Sequence, residues 1–270
     1  MVAATAQLRA AGVPDPARDA RVLLAHAARV EASRVTLIAP EDLDPDIAER
    51  YEQLIALRAI RVPVSHLLGE REFYGRRFKV SSDVLDPRPE TECLIEAALA
   101  EPFHRVLDLG IGSGCILVTL LGEQRDATGL GVDLSEAACL QASANAVLHR
   151  VEPRADIRQS DWFQAVEGLF DLIVSNPPYI ALSEMPDLSA EVRDHEPEMA
   201  LTDGGDGLGA YRRIASDVGH YLTPGGRVLV EIGPTQATAV AALFEQAGLR
   251  HIRVVPDLDG RDRVVCAQSA

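Results

Sequence analysis

The chain has 270 residues, of which 47% are apolar, so it can build a sizeable core in one large domain or in a small domain joined to a larger one. With 26 basic and 41 acidic residues its formal net charge is −15, which disfavours nucleic acid as a substrate because a phosphate backbone attracts positive charge. The first residues lack a secretory pattern and no apolar run reaches membrane-spanning length, so we expect a soluble, cytoplasmic protein without a membrane partner.

The four cysteines are widely spaced in apolar segments, form no Cys-x-x-Cys pair and have no clustered histidines beside them. Cysteines of this kind are typical of a reduced protein core. The sequence therefore predicts neither a disulfide framework nor a metal site.

Residues 1–65 have a helical pattern. Asp15-Pro16 and Asp44-Pro45 each provide a capping side chain followed by a first-turn proline, and apolar residues at helical spacing come after both pairs. A small helical domain can serve as packing support or as a docking surface for a partner. The residues alone leave both interpretations open.

The helical pattern ends before residues 66–92, which have the pattern of short extended segments. Two short extended pieces on either side of Gly75 predict a β-hairpin that links two domains. The following run, Pro87-Arg88-Pro89-Glu90-Thr91-Glu92, has two interpretations. It is either the solvated start of a helix over Cys93–Leu99 or part of a functional site, and the residues do not decide between them.

Residues 93–270 alternate apolar runs with amphipathic segments, which predicts an α/β fold with a parallel sheet covered by helices on both faces. The first strand, Arg105–Leu109, leads into a glycine-rich turn. Glycines at alternate positions let the backbone approach a ligand closely. We expect a nucleotide-like ligand at Asp108, Gly110, Ile111, Gly112, Ser113 and Gly114.

The spacing Asp-x-Gly-x-Gly-x-Gly differs from the dinucleotide fingerprint, and no positive cluster is available for a pyrophosphate. This favours S-adenosylmethionine, which has no phosphate. Asp133 ends the next strand, at the place where such folds bind ribose hydroxyls. Asp161-Trp162 follows a third strand, where the Asp161 carboxylate can accept from the adenine amine and the Trp162 ring can stack on adenine. Taken one at a time, each residue has another interpretation: Gly112 could simply form a turn, Asp133 could cap a helix and Trp162 could pack in the core.

The fourth strand, Phe170–Ser175, is apolar throughout and ends in Asn176-Pro177-Pro178-Tyr179. The Asn176 side-chain oxygen and the Pro177 carbonyl are neighbouring acceptors for a planar –NH₂ group, and Tyr179 offers a flat face to it. An amide or arylamine held in this way presents its nitrogen to an electrophile. The alternative is a proline-rich turn after a core strand.

The polar connection 180–206 is long enough to act as a lid or substrate loop. His195 lies in it, but a lone loop histidine is more often solvated than a general base. The chain is predicted to close with a strand over Arg227–Ile232, a helix over Gln236–Ala247 and a hairpin of two final strands.

Over nearly its whole length the chain resembles the release-factor glutamine methyltransferases, the HemK/PrmC family. The segments that carry the resemblance are Leu68–Gly75, Pro87–Glu92, Asp108–Gly114, Asn176–Tyr179, Gly204–Leu208, Glu231–Gly233 and Asp257–Arg263. Glycine-rich and Asn-Pro-Pro-Tyr motifs alone are shared with other methyltransferases, whereas the combination is specific. Asp86 departs from a usually apolar position and Ile111 from a frequent threonine.

The resemblance implies a Rossmann-like seven-stranded methyltransferase sheet. It also implies a helical substrate-docking domain over 1–65, a hairpin linker over 66–92 and a methyltransferase domain over 93–270. The implied reaction moves a methyl group from S-adenosylmethionine to the side-chain amide of the glutamine in the Gly-Gly-Gln motif of peptide chain release factors. Cofactor contacts carry over to Gly110–Gly114, Asp133, Trp162 and Asn176, and substrate contacts to Asn176, Pro177, Pro178 and Tyr179.

Two other functions remain open to the sequence. An adenine-N6 nucleic-acid methyltransferase could use the same tetrapeptide on a flipped base, although the charge of −15 and the lack of a separate basic domain count against it. A catalytically silent cofactor-binding module is disfavoured by the intact tetrapeptide.

Overall fold

The computed structural model describes residues 1–37 and 44–270, and its contacts divide the chain into two compact units. The helical unit comprises Met1–Glu70 and Leu188–His195, and the sheet unit comprises Arg71–Asp187 and Glu196–Ala270. The sequence did not anticipate that residues 188–195 pack with the helical unit. The domain boundaries at residues 65 and 92 stay predictions.

The α-helices of the described residues lie both before the strands and between them. In chain order they are α1 (Val2–Ala10), α2 (Pro16–Ala28), α3 (Pro45–Ala59), α4 (Val64–Leu68), α5 (Glu92–Leu99), α6 (Cys115–Glu123), α7 (Glu136–Leu148), α8 (Ala190–His195), α9 (Glu198–Leu201), α10 (Gly209–Asp217) and α11 (Ala237–Gln246).

The strands form a hairpin and a larger sheet. They are β1 (Glu70–Phe73), β2 (Arg76–Lys79), β3 (Arg105–Leu109), β4 (Thr128–Asp133), β5 (Ala155–Gln159), β6 (Phe170–Ser175), β7 (Leu222–Glu231), β8 (Arg250–Pro256) and β9 (Asp262–Gln268). β1 pairs with β2, and the other seven strands form one sheet in the order β5-β4-β3-β6-β7-β9-β8. Strands β3 to β7 pair in parallel, whereas β9 is antiparallel to β7 and β8.

The helical unit begins its helices where the sequence predicts. The carboxylate of Asp15 accepts from the backbone N–H of Arg18 at 3.3 Å, and that of Asp44 accepts from Asp46 at 2.8 Å. A proline opens each helix, at the position where an amide hydrogen would have no helical partner. The predicted capping of α2 and α3 is therefore confirmed.

A buried ion cluster holds α8 in the helical unit. Arg58, 5% exposed, bonds Asp19 of α2 at 2.7 Å and Glu191 of α8 at 2.9 Å, and Arg61 also pairs with Glu191. The arginines hold the pKa of Glu191 below its usual range, although burial opposes them. Buried charges need such partners, so this cluster fixes α8 against α3.

The sheet unit brings the ends of four parallel strands to one edge. Strands β3 and β6 are central and buried on both faces, which explains their apolar sequences. β3, β4, β5 and β6 run in parallel, so their carboxyl ends, with the loops that follow them, lie along the same edge. Ligands of open α/β sheets bind at such an edge.

The later elements depart from the sequence prediction in two places. β7 begins at Leu222, five residues before the predicted Arg227, because Phe170 of β6 already pairs with Leu222 across a register shift. The connection 180–206, predicted as a polar loop, contains α8 and α9. The final hairpin is confirmed as β8 and β9.

The four cysteines are free; three are buried and Cys93 is partly exposed. Among residues 1–37 and 44–270, no helix is both long and apolar enough to cross a membrane. The same residues contain no group of three or more metal-ligating side chains placed to hold an ion.

Candidate active site

The glycine-rich turn after β3 opens onto a cavity. Gly110 and Gly112 have φ values of 74° and 52°, in the left-handed region, and a Cβ added to either would meet no atom within 4 Å. Gly114, with φ 80°, instead lies against the backbone of Ala142 in α7, where a Cβ would come within 3.1 Å. The first two glycines therefore leave room for a ligand, whereas Gly114 permits close packing of α6 on α7.

Asp108 lies beneath this turn. It is fully buried and is not among the described residues that line the cavity, and its Oδ2 accepts from the backbone N–H of Leu117 in the first turn of α6 at 3.1 Å. Burial raises the pKa of Asp108 to about 8. The structure therefore places this residue where it supports the start of α6, and direct contact with a cofactor stays a prediction.

Replacing Asp108 by asparagine should change how stability depends on pH. Because the pKa of Asp108 is raised in the folded chain, the folded chain holds a proton that the unfolded chain releases. The contribution of Asp108 to the free energy of unfolding is therefore fully present below about pH 4 and is lost as the pH rises toward 8. Asparagine keeps an acceptor for Leu117 and never ionises. From pH 5 to pH 8 the wild type should lose up to about 1.4 kcal/mol per pH unit relative to Asp108→Asn in urea unfolding. If the free energy of unfolding varied with pH in the same way for wild type and Asp108→Asn, the result would contradict a neutral Asp108.

Asp133 at the end of β4 joins the glycine turn to α7. One carboxylate oxygen accepts from the backbone N–H of Gly112 and the other from that of Ser135, both at 2.9 Å. Burial raises its pKa, and these backbone donors oppose the rise. Asp133 lines the cavity, so remaining lone pairs are available to a ligand hydroxyl.

Asp161 and Trp162 follow β5 and both line the cavity. Trp162 has a φ of 52°, which is uncommon for a bulky residue, and is partly buried. Ser160 stabilises this conformation because its hydroxyl donates to the Trp162 carbonyl and accepts from the Ala165 backbone N–H, each at 2.9 Å. Sequence reasoning missed Ser160, which carries no motif of its own.

The Asn-Pro-Pro-Tyr segment reaches the same cavity through Asn176 and Pro178. Pro177 is buried and Tyr179 is partly buried, and neither is among the described lining residues. The Tyr179 carbonyl accepts from Gln236 Nε2 at 2.9 Å, which holds the segment against α11. The carboxylate of Glu231 lies 3.4 Å from the Tyr179 hydroxyl, and burial raises the pKa of that hydroxyl.

The amide of Asn176 is only half satisfied. Its Nδ2 donates to Thr91 Oγ1 at 3.2 Å, whereas its buried Oδ1 has no hydrogen-bond partner among the described residues. Buried polar atoms nearly always have a partner, so an orphaned acceptor on a residue that lines the cavity points to a donor on a ligand.

The cavity has a volume of about 420 Å³, within the range of small-molecule sites. Its charged lining residues are mostly acidic, with Arg88 the one basic side chain among those described: Asp83, Asp86, Arg88, Asp133, Asp161 and Asp203. Arg88 is itself paired with Glu196 at 2.6 Å, and burial raises the pKa of Glu196 to about 7. This lining suits a cationic ligand and does not suit a pyrophosphate.

His195 is not among the described residues that line the cavity. Its Nε2 is 3.0 Å from the carbonyl of Ile60, and both residues belong to the helical unit. Asp203, in contrast, lines the cavity and accepts from the backbone N–H groups of Gly205, Gly207 and Gly209. Within the 180–206 connection, Asp203 is thus one of the residues that border the site, whereas His195 is not among the described lining residues. The signal for Asp203 was the glycine-rich run that follows it.

Two family models match the chain. The PrmC N-terminal domain matches residues 1–69, and the methyltransferase small domain matches residues 80–206. The chain is 57% identical over 266 residues to the release factor glutamine methyltransferase of Cereibacter sphaeroides, covering 98% of this chain and 96% of that protein. It is 43% identical to the protein of the same name from Rhodospirillum rubrum, with 97% and 82% covered.

Solved structures share the fold. A methyltransferase from Pyrococcus furiosus has a TM-score of 0.58 at 14% identity and covers 83% of this chain and 99% of its own. The hMettl16 catalytic domain has a TM-score of 0.59 at 16% identity, with 80% of each chain covered. The predicted methyltransferase architecture is confirmed by these similarities together with the strand order.

Proposed function

Because this chain belongs to the release factor glutamine methyltransferase family, we propose that it methylates the side-chain amide of the Gly-Gly-Gln glutamine in peptide chain release factors. The methyl donor is S-adenosylmethionine. The observation that carries the proposal is the buried, orphaned Oδ1 of Asn176, a residue that lines the cavity, since a glutamine amide offers the hydrogen that this acceptor lacks.

The cavity fits the cofactor on three grounds. Gly110 and Gly112 leave open space beside their Cα atoms, Asp133 has lone pairs available to ribose hydroxyls, and Trp162 is available to stack on adenine. The acidic lining suits a sulfonium and an α-amino group. When bound, the cofactor supplies an electrophilic methyl group.

The protein contributes positioning to this reaction. An amide nitrogen is a poor nucleophile because its lone pair is delocalised into the carbonyl. Acceptors on its two hydrogens, the Asn176 Oδ1 and the Pro177 carbonyl, aim the nitrogen and return electron density to it. No strong base is required, because the nitrogen becomes highly acidic as it is methylated and releases its proton to water.

The helical unit docks the release factor in this proposal. The support is the match of residues 1–69 to the PrmC N-terminal domain and the course of the chain after Tyr179. The chain leaves the sheet unit after Asp187, is held in the helical unit by Glu191, and returns at Glu196 just before the cavity residues Pro197 and Met199. The segment that packs in the helical unit is therefore followed directly in sequence by residues that line the site.

Deleting residues 1–65 should separate docking from chemistry. The truncated chain should bind S-adenosylmethionine normally and methylate a short Gly-Gly-Gln peptide, but methylate intact release factor at least about tenfold more slowly because it lacks the docking surface. The two substrates are compared at equal, subsaturating concentration. Equal losses on peptide and release factor would show that the helical unit supports the 188–195 segment and does not dock the substrate.

Transfer of labelled methyl from the cofactor to purified release factor tests the proposed function. A release factor with the motif glutamine replaced by alanine should remain unlabelled. Label on that variant would place the acceptor elsewhere.

A further inference from the structure

Three polar side chains from distant segments form a buried chain of hydrogen bonds. Asn176 Nδ2 donates to Thr91 Oγ1 at 3.2 Å, and the Thr91 hydroxyl donates to Glu231 Oε2 at 2.6 Å. Thr91 is 1% exposed and Glu231 is fully buried. Thr91 precedes α5, yet its side chain makes no capping bond to that helix. The Thr91 hydroxyl therefore takes part in this series of hydrogen bonds and does not cap the helix.

The order of donors fixes which way the Asn176 amide faces. A threonine hydroxyl has one hydrogen, and its short bond to the Glu231 carboxylate uses that hydrogen. The hydroxyl lone pairs can then only accept, and the –NH₂ group of Asn176 is the donor that they meet. A flipped amide would set two acceptor oxygens against each other. Oδ1 is thus directed away from Thr91, where it remains without a partner.

We infer that Thr91 and Glu231 are positioning residues that hold the Asn176 amide with its oxygen available to the substrate glutamine. This inference rests on the proposed function, because it assigns a role in aiming the amide that is methylated. Thr91 borders the cavity, whereas Glu231 is not among the described lining residues, and neither needs to touch the substrate in this role. Their effect on the rate passes entirely through Asn176.

The carboxylate form of Glu231 sustains this arrangement. Burial raises the pKa of Glu231 to about 7 and Glu90 adds to the rise, whereas the Thr91 hydroxyl, the Arg263 guanidinium and the Tyr179 hydroxyl oppose it. At pH 8 the group is mostly ionised and accepts from Thr91. Measurements at that pH therefore address the charged network.

The test is a double-mutant cycle on the single-turnover rate at pH 8 with saturating cofactor and release factor. Thr91→Val removes the hydroxyl at constant volume and should slow methyl transfer about tenfold, because the amide can then rotate, while cofactor affinity stays within about twofold. Thr91→Ser keeps the hydroxyl and should remain within about threefold of wild type. In an Asn176→Ala background, Thr91→Val should lower the single-turnover rate by less than a further factor of about two.

Two outcomes would overturn the inference: a Thr91→Val rate within about twofold of wild type while Asn176→Ala is slow, or a full Thr91→Val effect in the Asn176→Ala background. If the valine variant does not fold, Thr91→Cys, with its weak donor, is carried through the same cycle. Failure of the proposed function is distinct, because wild type would then leave release factor unmethylated, whereas a wild-type rate for Asn176→Ala would remove only the role of its side chain and, with it, this inference.

Discussion

Asn176→Ala is expected to slow single-turnover methylation of release factor about a hundredfold or more. One hydrogen of the bound amide loses its acceptor, at a cost of about 1–3 kcal/mol, and the amide is also free to rotate away from the methyl group. About 1.4 kcal/mol corresponds to a tenfold change in rate, so the two effects together reach this range. The measurement is quenched single-turnover transfer at saturating cofactor.

Asn176→Asp is the matched variant. It retains an oxygen at the same place and should keep more activity than alanine, unless its negative charge holds the cationic cofactor too tightly in the ground state. Cofactor affinity, measured separately by calorimetry, distinguishes that case. An alanine variant with nearly normal turnover would show that the Asn176 side chain does not orient the amide and that Asn-Pro-Pro-Tyr is only a turn.

Asp133→Ala is expected to weaken S-adenosylmethionine binding by about 1.5–3 kcal/mol, or roughly ten- to hundredfold in Kd. The substitution removes the acceptor proposed for the ribose hydroxyls. It also frees the backbone N–H groups of Gly112 and Ser135, which the carboxylate now holds at 2.9 Å each. Calorimetric titration of the folded variant measures the loss directly.

Glu136→Ala provides the control for Asp133. It removes the same charge three residues away, from an exposed position at the start of α7 that is not among the described lining residues. Its affinity for the cofactor should stay within about twofold of wild type, since an exposed charge is screened by solvent. Unchanged affinity in Asp133→Ala would remove the ribose assignment.

The parallel sheet was predictable because its signals are local. Apolar runs such as Phe170–Ser175 predict buried strands, and the aspartate–proline pairs predict the starts of α2 and α3. The placement of residues 188–195 was not predictable. It depends on Arg58 and Arg61 reaching Glu191 more than a hundred residues later in the chain, and no local pattern encodes such a pairing.

The candidate site was predictable where a motif ends a strand. Asp133 ends one strand of the parallel sheet, and Trp162 and Asn176 each follow another, so the fold brings them to one cavity. The side chain of Asp108 is turned beneath the glycine loop to Leu117, and its contact with the cofactor stays a prediction. The role of Thr91 could not be read from its neighbours, since a threonine before a helix ordinarily indicates a cap.

The central claim is that the chain methylates a glutamine amide of a release factor. The most direct measurement incubates the protein with S-adenosylmethionine, purified release factor and double-stranded DNA together, then locates the methyl group by mass spectrometry of peptides and nucleosides. We expect one methyl group on the side-chain nitrogen of the Gly-Gly-Gln glutamine and none on adenine. Methyladenine with an unmodified release factor would contradict the account.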